Sequence, residues 1–270
     1  MKICVLVMTY KTDLYDHFDR IKRKYLETKD VDYYFLYNGT DKSLNNPKEH
    51  NLNYYSDSYH PSGIPVMWDK FIAFISETIG KYDYVIKVNS STFVNVDKVI
   101  EKIKQHNDKL QMSHSTCDYL DIAVRGKVVE KIKQYDEKED LYMGYFSDEV
   151  QDLHAGTFIS GACTVFSDTT LKKLLEVSKV FKHNPEARIR EDDVLIGLSL
   201  IHVLKIPPTF LDRYNIADAP VDKKYKRFTV PPNEDIEEAL TYSHIRIRND
   251  FDRDLIDKGI WNIIEKKLQL

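Results

Sequence analysis

Apolar residues in the first part of the chain fall alternately into short continuous runs and into repeats with helical spacing. The run Ile3–Met8 is wholly apolar and predicts a central strand that is covered on both faces. A polar loop at 9–13 follows this run, and residues 14–27 have the pattern of a helix. A second predicted strand, 31–37, ends at the turn signal Asn-Gly-Thr of residues 38–40.

The same alternation continues to residue 105. Helical spacing of apolar residues predicts a helix over 65–79, and an apolar run predicts a strand over 82–88. The next helix begins near Asp97, which we expect to cap it. Alternating strands and helices indicate βα units and a largely parallel sheet. Because ligands bind at the carboxyl ends of such strands, the loops after the three strands, including 89–91, are expected to share one edge.

The remainder of the chain is less regular. Residues 157–166 are strand-like around Gly161, and Ser167 or Asp168 is expected to cap the helix that follows. The almost wholly apolar stretch 192–204 predicts a buried helix, which the two prolines at 207–208 end. The last predicted elements are a strand over 241–248 and an amphipathic helix over 253–268.

Composition narrows the class of protein. A chain of 270 residues with 42% hydrophobic residues can build one α/β domain with a sizeable core, and its net charge of -4 argues against non-specific binding to a polyanion. The cysteines Cys4, Cys117 and Cys163 are odd in number and far apart, which favours free thiols in a reducing compartment. No apolar run has the length of a signal peptide or a membrane helix, so we expect a cytoplasmic protein without a membrane span.

The segment 82–95 carries the first candidate chemistry. A buried strand runs into the small polar residues Asn89, Ser90 and Ser91 and then into a helix, which places a polar ledge at the sheet edge. An ordinary strand-turn-helix corner explains the same pattern. The segment resembles the Lys-x-Asp-Asp-Asp-x-Phe-Val-Asn stretch of the β-1,3-galactosyltransferase and fringe group of GT-A glycosyltransferases. The matching residues are Lys87, Phe93, Val94 and Asn95, and all three aspartates are replaced.

Two further blocks resemble this group in the same order along the chain. Residues 158–167 are similar to its glycine-rich acceptor-side strand, and residues 192–197 to its Glu-Asp-Val-x-x-Gly helix start. Lys70 stands where the group has a lysine. The resemblance implies a GT-A (Rossmann-like) α/β fold over 1–270: a mixed, mostly parallel central sheet flanked by helices, with a smaller acceptor-side β region. It divides the chain into a nucleotide-binding half, 1–105, and an acceptor-side half, 106–270, with a C-terminal helix.

The resemblance also implies roles on the acceptor side. Asp193 aligns with the aspartate that takes the proton from the acceptor hydroxyl in inverting members, and Asp192 is the second candidate. Carboxylates at a helix N-terminus also serve simply as caps. The residues expected to contact the acceptor or sugar are Ser160, Gly161 and Ala162. The charged stretch 125–155 is interpreted as a lid or an acceptor-binding loop.

A late basic strand offers a site for a diphosphate. Strand alternation puts His244, Arg246 and Arg248 on one face, and guanidinium groups match phosphate oxygens. The resemblance supports this role, because many GT-A enzymes have a late histidine that contacts the metal or the diphosphate. The alternative is a solvated face that pairs with the nearby acidic residues, Asp250, Asp252 and Asp254.

The replaced aspartates change the expected use of a metal. Mn²⁺ and Mg²⁺ prefer carboxylate oxygens, so Asn89 and Ser91 should bind either ion weakly or not at all, and no cofactor is predicted to be required. The charge on the leaving diphosphate would instead be neutralised by Lys70, Lys87, Arg246 and Arg248. The triplet would hydrogen-bond ribose or phosphate. A looser resemblance rests on two features, the triplet that ends in Ser-Ser before Phe93 and the late pattern His-x-Arg-x-x-Asn that begins at His244. These features resemble those of glycosyltransferase-like proteins of large viruses and phages. A viral protein would act in the host cytoplasm.

The loop after the first strand completes the predicted donor site. Thr9, Tyr10 and Lys11 occupy the place where GT-A proteins hold the base, and Asn38 is a further candidate. The leading prediction is a metal-independent, inverting transferase that moves a hexose or pentose from a nucleotide sugar, with a UDP-sugar favoured, to a glycan hydroxyl. Two alternatives stay open: a transferase acting on hydroxymethylated DNA bases, suggested by the basic stretch 223–228, and an inactive GT-A module that binds nucleotide sugar or glycan.

Overall fold

The computed structural model describes residues 1–37, 66–110, 140–147, 158–181, 192–216, 233–248 and 252–270. These residues form an α/β fold in which helices pack on both faces of a mixed central sheet, and a smaller sheet lies beside it. The predicted fold class, with its mostly parallel sheet and smaller β region, is confirmed.

Up to residue 105 the elements follow the predicted alternation of strands and helices apart from one short extra strand, and the rest of the chain contains further elements that the sequence does not predict. The strands are β1 (Ile3–Met8), β2 (Asp32–Leu36), β3 (Tyr84–Asn89), β4 (Thr92–Val94), β5 (Tyr142–Ser147), β6 (Phe158–Ser167), β7 (Thr209–Phe210), β8 (Arg213–Asn215) and β9 (His244–Arg246). The α-helices are α1 (Asp13–Glu27), α2 (Val66–Thr78), α3 (Val96–Leu110), α4 (Asp168–Phe181), α5 (Asp192–Gly197), α6 (Asn233–Ala239) and α7 (Lys258–Lys267). Two π-helical turns, Leu198–Val203 and Arg253–Asp257, extend α5 and precede α7.

The central sheet has the strand order β2-β1-β3-β6-β5-β7. The strands β2, β1 and β3 are parallel, as βα units require, and Met8 of β1 lies beside both Leu36 and Asn89 at their carboxyl ends. β6 is antiparallel to both of its neighbours, β3 and β5, whereas β7 is parallel to β5. β6 therefore joins the first half of the chain to the second within one sheet.

Side chains of β1 alternate between two apolar cores, one on each face of the sheet. Val5 and Val7 pack with α1, α3 and α7, and Leu6 and Met8 pack with α2, α4 and α5. Cys4 is also buried, and its thiol is free. Burial on both faces explains why this strand is wholly apolar rather than alternating in polarity.

The smaller sheet has the order β4-β9-β8, with β9 antiparallel to β4 and parallel to β8. Phe93 and Ile245 point from one face into the core. The opposite face carries the alternate residues: Thr92 lies beside Arg246, and His244 lies between Val94 and Arg213. This arrangement sets the polar face of the smaller sheet beside the end of β3, since only Ser90 and Ser91 separate β3 from β4.

Several sequence predictions need correction. Asp97 does not cap α3: the side-chain oxygen of Asn95 accepts the Lys98 N–H at 3.3 Å, and Asp97 pairs with Lys29 at 2.7 Å. The stretch 125–155, interpreted as a lid or an acceptor-binding loop, contains β5, an interior strand of the sheet, while residues 125–139 and 148–155 lie outside the described part of the chain. The apolar run of β5 is short and lies among charged residues, so the pattern does not reveal it.

The predicted helix over 192–204 and strand over 241–248 are both shorter than expected. α-Helical hydrogen bonding stops at Gly197 and a π-helical turn continues to Val203, where His202 is exposed. The helical run ends before the prolines, since Lys205 adopts a left-handed conformation with φ of 58°. The late strand is only β9, because Thr241 belongs to the turn that closes α6.

Cys163, like Cys4, is a buried free thiol, as predicted, while Cys117, Asn38 and the basic stretch 223–228 lie outside the described residues. In the part of the chain that the structure describes, no helix has the length and apolar character needed to cross a bilayer. The division into halves at residue 105 stays a prediction.

Gly144→Ala should lower the free energy of unfolding by about 1–3 kcal/mol, the usual cost of overpacking. A Cβ at this position would overlap Cγ2 of Ile159 and lie 3.0 Å from the carbonyl oxygen of Cys163. Urea denaturation measures the effect, with Ser76→Ala on the exposed face of α2 as the control. Equal stability of Gly144→Ala and the wild type would contradict the packing described for β5 against β6.

Candidate functional site

The loops after β1 and β3 meet at one edge of the central sheet, as the sequence predicts. Met8 and Asn89 are neighbours in the parallel ladder, so Thr9 and Ser90 follow at the same level. The N–H of Thr9 donates to the carbonyl of Leu36 at the end of β2, 3.1 Å away. The three parallel strands therefore present their carboxyl ends together, which is where α/β sheets bind ligands.

A buried polar cluster beneath this edge was not predicted. The Thr9 hydroxyl donates to Oδ2 of Asp19 at 2.7 Å, and Nζ of Lys22 lies 3.6 Å from Oδ1 of the same carboxylate. Lys22 also donates to the carbonyl oxygen of Ser90 and lies 4.9 Å from the ring centroid of Trp261. We call Thr9, Asp19, Lys22 and Ser90 the corner cluster, because they tie the loop after β1 to the loop after β3.

Burial governs the ionisation of the corner cluster. It lowers the pKa of Lys22 to about 8, although the charge of Asp19 opposes the shift. Burial raises the pKa of the Asp19 carboxyl, and Lys22 and the Thr9 hydroxyl oppose that shift. At neutral pH the ammonium of Lys22 is therefore still protonated and can donate to Ser90.

The sequence signal for the corner cluster is weak but present. Asp19 and Lys22 stand three residues apart on α1, within the apolar arc of Phe18, Ile21 and Leu26. Charged residues in an amphipathic helix usually mark its solvated face, and most surface ion pairs of this spacing have no functional role. A complementary pair inside the apolar arc is the feature that distinguishes these two residues.

The triplet Asn89–Ser91 lies beside the late basic strand. Ser90 is buried, whereas Asn89 and Ser91 are half-buried. The carbonyl of Ser91 accepts the N–H of Ile247 at 2.8 Å, and Thr92 pairs with Arg246 across the ladder. Arg246 is half-buried and Arg248 is exposed, so guanidinium groups and small polar side chains share this corner of the sheet.

His244 does not contribute the positive charge that we expected from it. The residue is completely buried, and burial, aided by the charge of Arg213, lowers its pKa from 6.5 to about 3. The imidazole is therefore neutral at pH 7, and the cationic face is reduced to Arg246 and Arg248. The hydroxyl of Thr92 has no hydrogen-bond partner among the described residues.

The two predicted lysines lie on the same side of the sheet but make different contacts. Lys70 of α2 is buried, with Nζ 5.6 Å from the ring centroid of Tyr10. Lys87 of β3 is buried too, and its Nζ lies 2.7 Å from Oδ2 of Asp192. This carboxylate balances the charge of Lys87, and the expected role of Lys87 toward a diphosphate stays a prediction. Lys11, by contrast, pairs with Asp16 at the surface, 2.9 Å away.

An irregular bulge in β6 contains the predicted acceptor-side residues and lies against Asp193. Gly144 pairs with Thr164 and Phe146 pairs with Ile159, so Ser160–Cys163 lie opposite Tyr145 alone. Bulges of this kind redirect backbone groups and are frequent next to active sites. Here the N–H of Gly161 donates to Oδ2 of Asp193 at 3.0 Å, while Oδ1 of the same carboxylate accepts the N–H of Val194 at 3.0 Å.

Arg213 is a member of the site that the sequence analysis missed. Its Nη1 donates to Oγ of Ser160 at 3.3 Å, and its guanidinium lies 3.8 Å from the ring centroid of Tyr145. The residue stands beside His244 in the smaller sheet. No motif surrounds it, and only the pairing of β8 with β9, which the sequence does not reveal, brings it to the site.

The residues at the triplet do not fit a divalent cation. Hard cations prefer several carboxylate or carbonyl oxygens, but Asn89 and Ser91 provide only an amide and a hydroxyl, and the Ser90 carbonyl already accepts from Lys22. In the described part of the chain, no group of three or more His, Cys, Asp or Glu side chains is placed to hold a metal ion.

No family model and no curated protein matches this sequence. Several solved structures have a similar backbone fold. One is the galactosyltransferase LgtC in complex with donor and acceptor sugar analogs, which is 11% identical with a TM-score of 0.48. The match covers 99% of this chain and 96% of that one. A glycosyltransferase involved in glycosylation of the major capsid of PBCV-1 is 8% identical, with a TM-score of 0.49 and coverages of 96% and 98%. Mouse xyloside xylosyltransferase 1 is 10% identical, with a TM-score of 0.42 and coverages of 91% and 97%.

Lys22→Met should destabilise the protein by about 3–5 kcal/mol, because it leaves the carboxylate of Asp19 buried without its cation. The double variant Asp19→Asn/Lys22→Met removes both charges and should recover part of that loss. Urea denaturation of the wild type, both single variants and the double variant gives the coupling between the two residues.

Lys98→Met is the matched control, since the pair of Lys98 with Glu101 on α3 is exposed and should contribute less than about 1 kcal/mol. If the free energies of unfolding lost by the single variants at Asp19 and Lys22 add up to the loss in the double variant, the two residues are not coupled.

Proposed function

We propose that this protein is a GT-A glycosyltransferase that moves a sugar from a nucleotide-sugar donor, with UDP as the favoured nucleotide, to a hydroxyl of a glycan. One observation carries the proposal. Two contacts connect the proposed donor and acceptor residues to the end of β3: Thr92, directly after the triplet Asn89–Ser91, pairs with Arg246, and Lys87 of β3 pairs with Asp192 at the start of α5. These contacts support a donor site and a candidate base at the same end of the strand.

The donor side is suited to a nucleoside diphosphate. Arg246 pairs with Thr92 directly after the triplet, and guanidinium groups form paired hydrogen bonds with phosphate oxygens. Asn89 and Ser91 can hydrogen-bond ribose or phosphate, and Tyr10 can stack on the base. Since the triplet is a poor metal site, the developing charge on the leaving group is neutralised by Arg246 and Arg248, and the reaction proceeds without a required metal.

The two aspartates have separate roles in this proposal. Asp192 is paired with Lys87, which fixes the N-terminus of α5 against β3. Asp193 accepts backbone N–H groups from Gly161 and Val194, and a carboxylate retains further lone pairs after two such bonds. Asp193 takes the proton of the acceptor hydroxyl, whose oxygen attacks the anomeric carbon as the nucleoside diphosphate leaves, so the configuration at that carbon is inverted.

A second function has one observation in its favour. Both carboxylate oxygens of Asp193 already accept backbone N–H groups, from Gly161 and Val194, as the oxygens of a purely structural side chain would. This arrangement favours an inactive GT-A module that binds a nucleotide sugar without transferring it. The two functions predict the same nucleotide binding and differ only in turnover.

Nucleotide binding should raise the thermal unfolding midpoint, and the rise should survive EDTA. A ligand at a hundredfold excess over its Kd stabilises the folded state by about 2.7 kcal/mol. The panel comprises UDP, GDP, dTDP and CMP with their sugars, each tested with Mn²⁺ and with EDTA. Arg246→Ala should weaken the binding about tenfold or more, because a charge-assisted hydrogen bond to phosphate is lost.

Arg20→Ala serves as the control for Arg246→Ala, since Arg20 lies on α1 and binds Glu265 at the surface. A midpoint shift that requires Mn²⁺ would contradict the metal-independent proposal. The absence of a shift with every nucleotide would contradict both proposed functions.

Asp193→Asn should reduce kcat by about 10²–10⁴-fold, the usual contribution of a general base, and leave the nucleotide Kd unchanged. An asparagine side-chain oxygen can still accept the N–H of Gly161, so the fold of the bulge should be retained. Release of the nucleoside diphosphate with a glycan acceptor measures the turnover.

Asp254→Asn, at an exposed position in the π-helical turn before α7, is the matched control. Full turnover of Asp193→Asn would rule out the inverting role of Asp193. No turnover by the wild type, combined with EDTA-resistant nucleotide binding, would favour the inactive module.

A further inference from the structure

An aromatic patch lies at the outer edge of the central sheet, next to the acceptor-side bulge. The ring centroid of Phe210 in β7 lies 5.9 Å from those of Tyr145 and Phe146 in β5. Phe210 is 54% exposed, while its two neighbours are half-buried. An exposed aromatic ring presents a flat apolar surface on which a ligand can stack. We call these three residues the aromatic patch.

The aromatic patch is continuous with the candidate site through one side chain. The guanidinium of Arg213 covers the ring of Tyr145 at 3.8 Å, and its Nη1 donates to Oγ of Ser160 at 3.3 Å. Gly161, the next residue, donates its N–H to Asp193. A ligand that lay on the exposed ring would thus extend towards the proposed base past a guanidinium and a hydroxyl.

The geometry points to an acceptor subsite in which a sugar ring of the glycan lies on Phe210 and its hydroxyl groups contact Arg213, whose guanidinium is held by the buried hydroxyl of Ser160. This inference rests on the proposed function and specifies where the acceptor binds. A pyranose has an apolar face of C–H groups and a rim of hydroxyl groups. It therefore matches an aromatic surface that has hydrogen-bonding groups along one side.

A protein partner fits these observations less well. Stable interfaces bury about 800 Å² on each partner, with several apolar anchors at their centre. In the described residues, the other large apolar side chains that are exposed, Met1 and Leu255, belong to other parts of the chain. One exposed ring beside half-buried ones suits a single sugar ring better than it suits a second protein.

The test uses the full chain, saturated with the nucleotide identified by the thermal panel, and saturation-transfer NMR. The probes are the α- and β-methyl glycosides of glucose, galactose, mannose, xylose and N-acetylglucosamine. At least one glycoside should bind, and its ring C–H protons should receive the strongest saturation. Phe210→Ala should weaken that binding roughly threefold to tenfold, which corresponds to the loss of one stacked ring.

Two further variants test whether glycoside binding requires a flat aromatic ring or only an apolar side chain. Phe210→Trp should retain glycoside binding, and Phe210→Leu should lose it as Phe210→Ala does. Leu255→Ala is the matched control, because Leu255 is 63% exposed and lies in the π-helical turn before α7. All four variants should bind the nucleotide as the wild type does, which shows that they are folded.

Equal glycoside binding by Phe210→Ala and the wild type would overturn the subsite, as would the absence of glycoside binding in a protein that binds its nucleotide. A wild-type dimer that Phe210→Ala dissociates, as measured by light scattering, would show instead that the patch is an interface between copies. Failure of nucleotide binding in the wild type is a separate outcome, which contradicts the proposed function itself.

Discussion

The buried contact between Lys22 and the Ser90 carbonyl is the constraint on which the candidate site depends. It crosses from α1 to the loop after β3, and Asp19 and Thr9 extend it to the loop after β1. An ammonium in an apolar interior is costly unless it is paired and hydrogen-bonded, so its position is tightly specified. A lysine on α1 thus holds the loop after β3 from within the protein.

A second constraint comes from β6, which is antiparallel to both of its neighbours. One end of this strand pairs with β3, and the bulge at the other end turns Gly161 towards Asp193. The ion pair between Lys87 and Asp192 spans the same junction. The donor and acceptor sides of the proposed reaction are therefore held by one strand and one buried ion pair.

The sequence predicts the parallel half of the fold well, because the apolar runs of β1 and β3 and the helices between them follow simple periodicities. The sequence does not predict β5, because its short apolar run is surrounded by charged residues. The strand predicted over 241–248 is too long, because its first residues form a turn and only β9 is a strand. The nearness of the triplet to Arg246 is an observation of the structure, since the sequence suggests only a shared role toward a diphosphate. The corner cluster and Arg213 are likewise not predicted, since each depends on contacts between elements distant in sequence. The neutral state of His244 depends on burial, which residue type alone does not reveal.

The pairing of β3 with β6 also bears on how the chain reaches its native state. Tyr84 pairs with Ser167, so the ladder closes only after a long intervening stretch has been synthesised. Contacts of such sequence separation form late and slow the folding of a domain. Until then β3 is an open edge of apolar residues, including Val85, Ile86 and Val88, and such edges promote aggregation. A chain ending before β6 would therefore be expected to be insoluble, even though it contains all three parallel strands β1, β2 and β3.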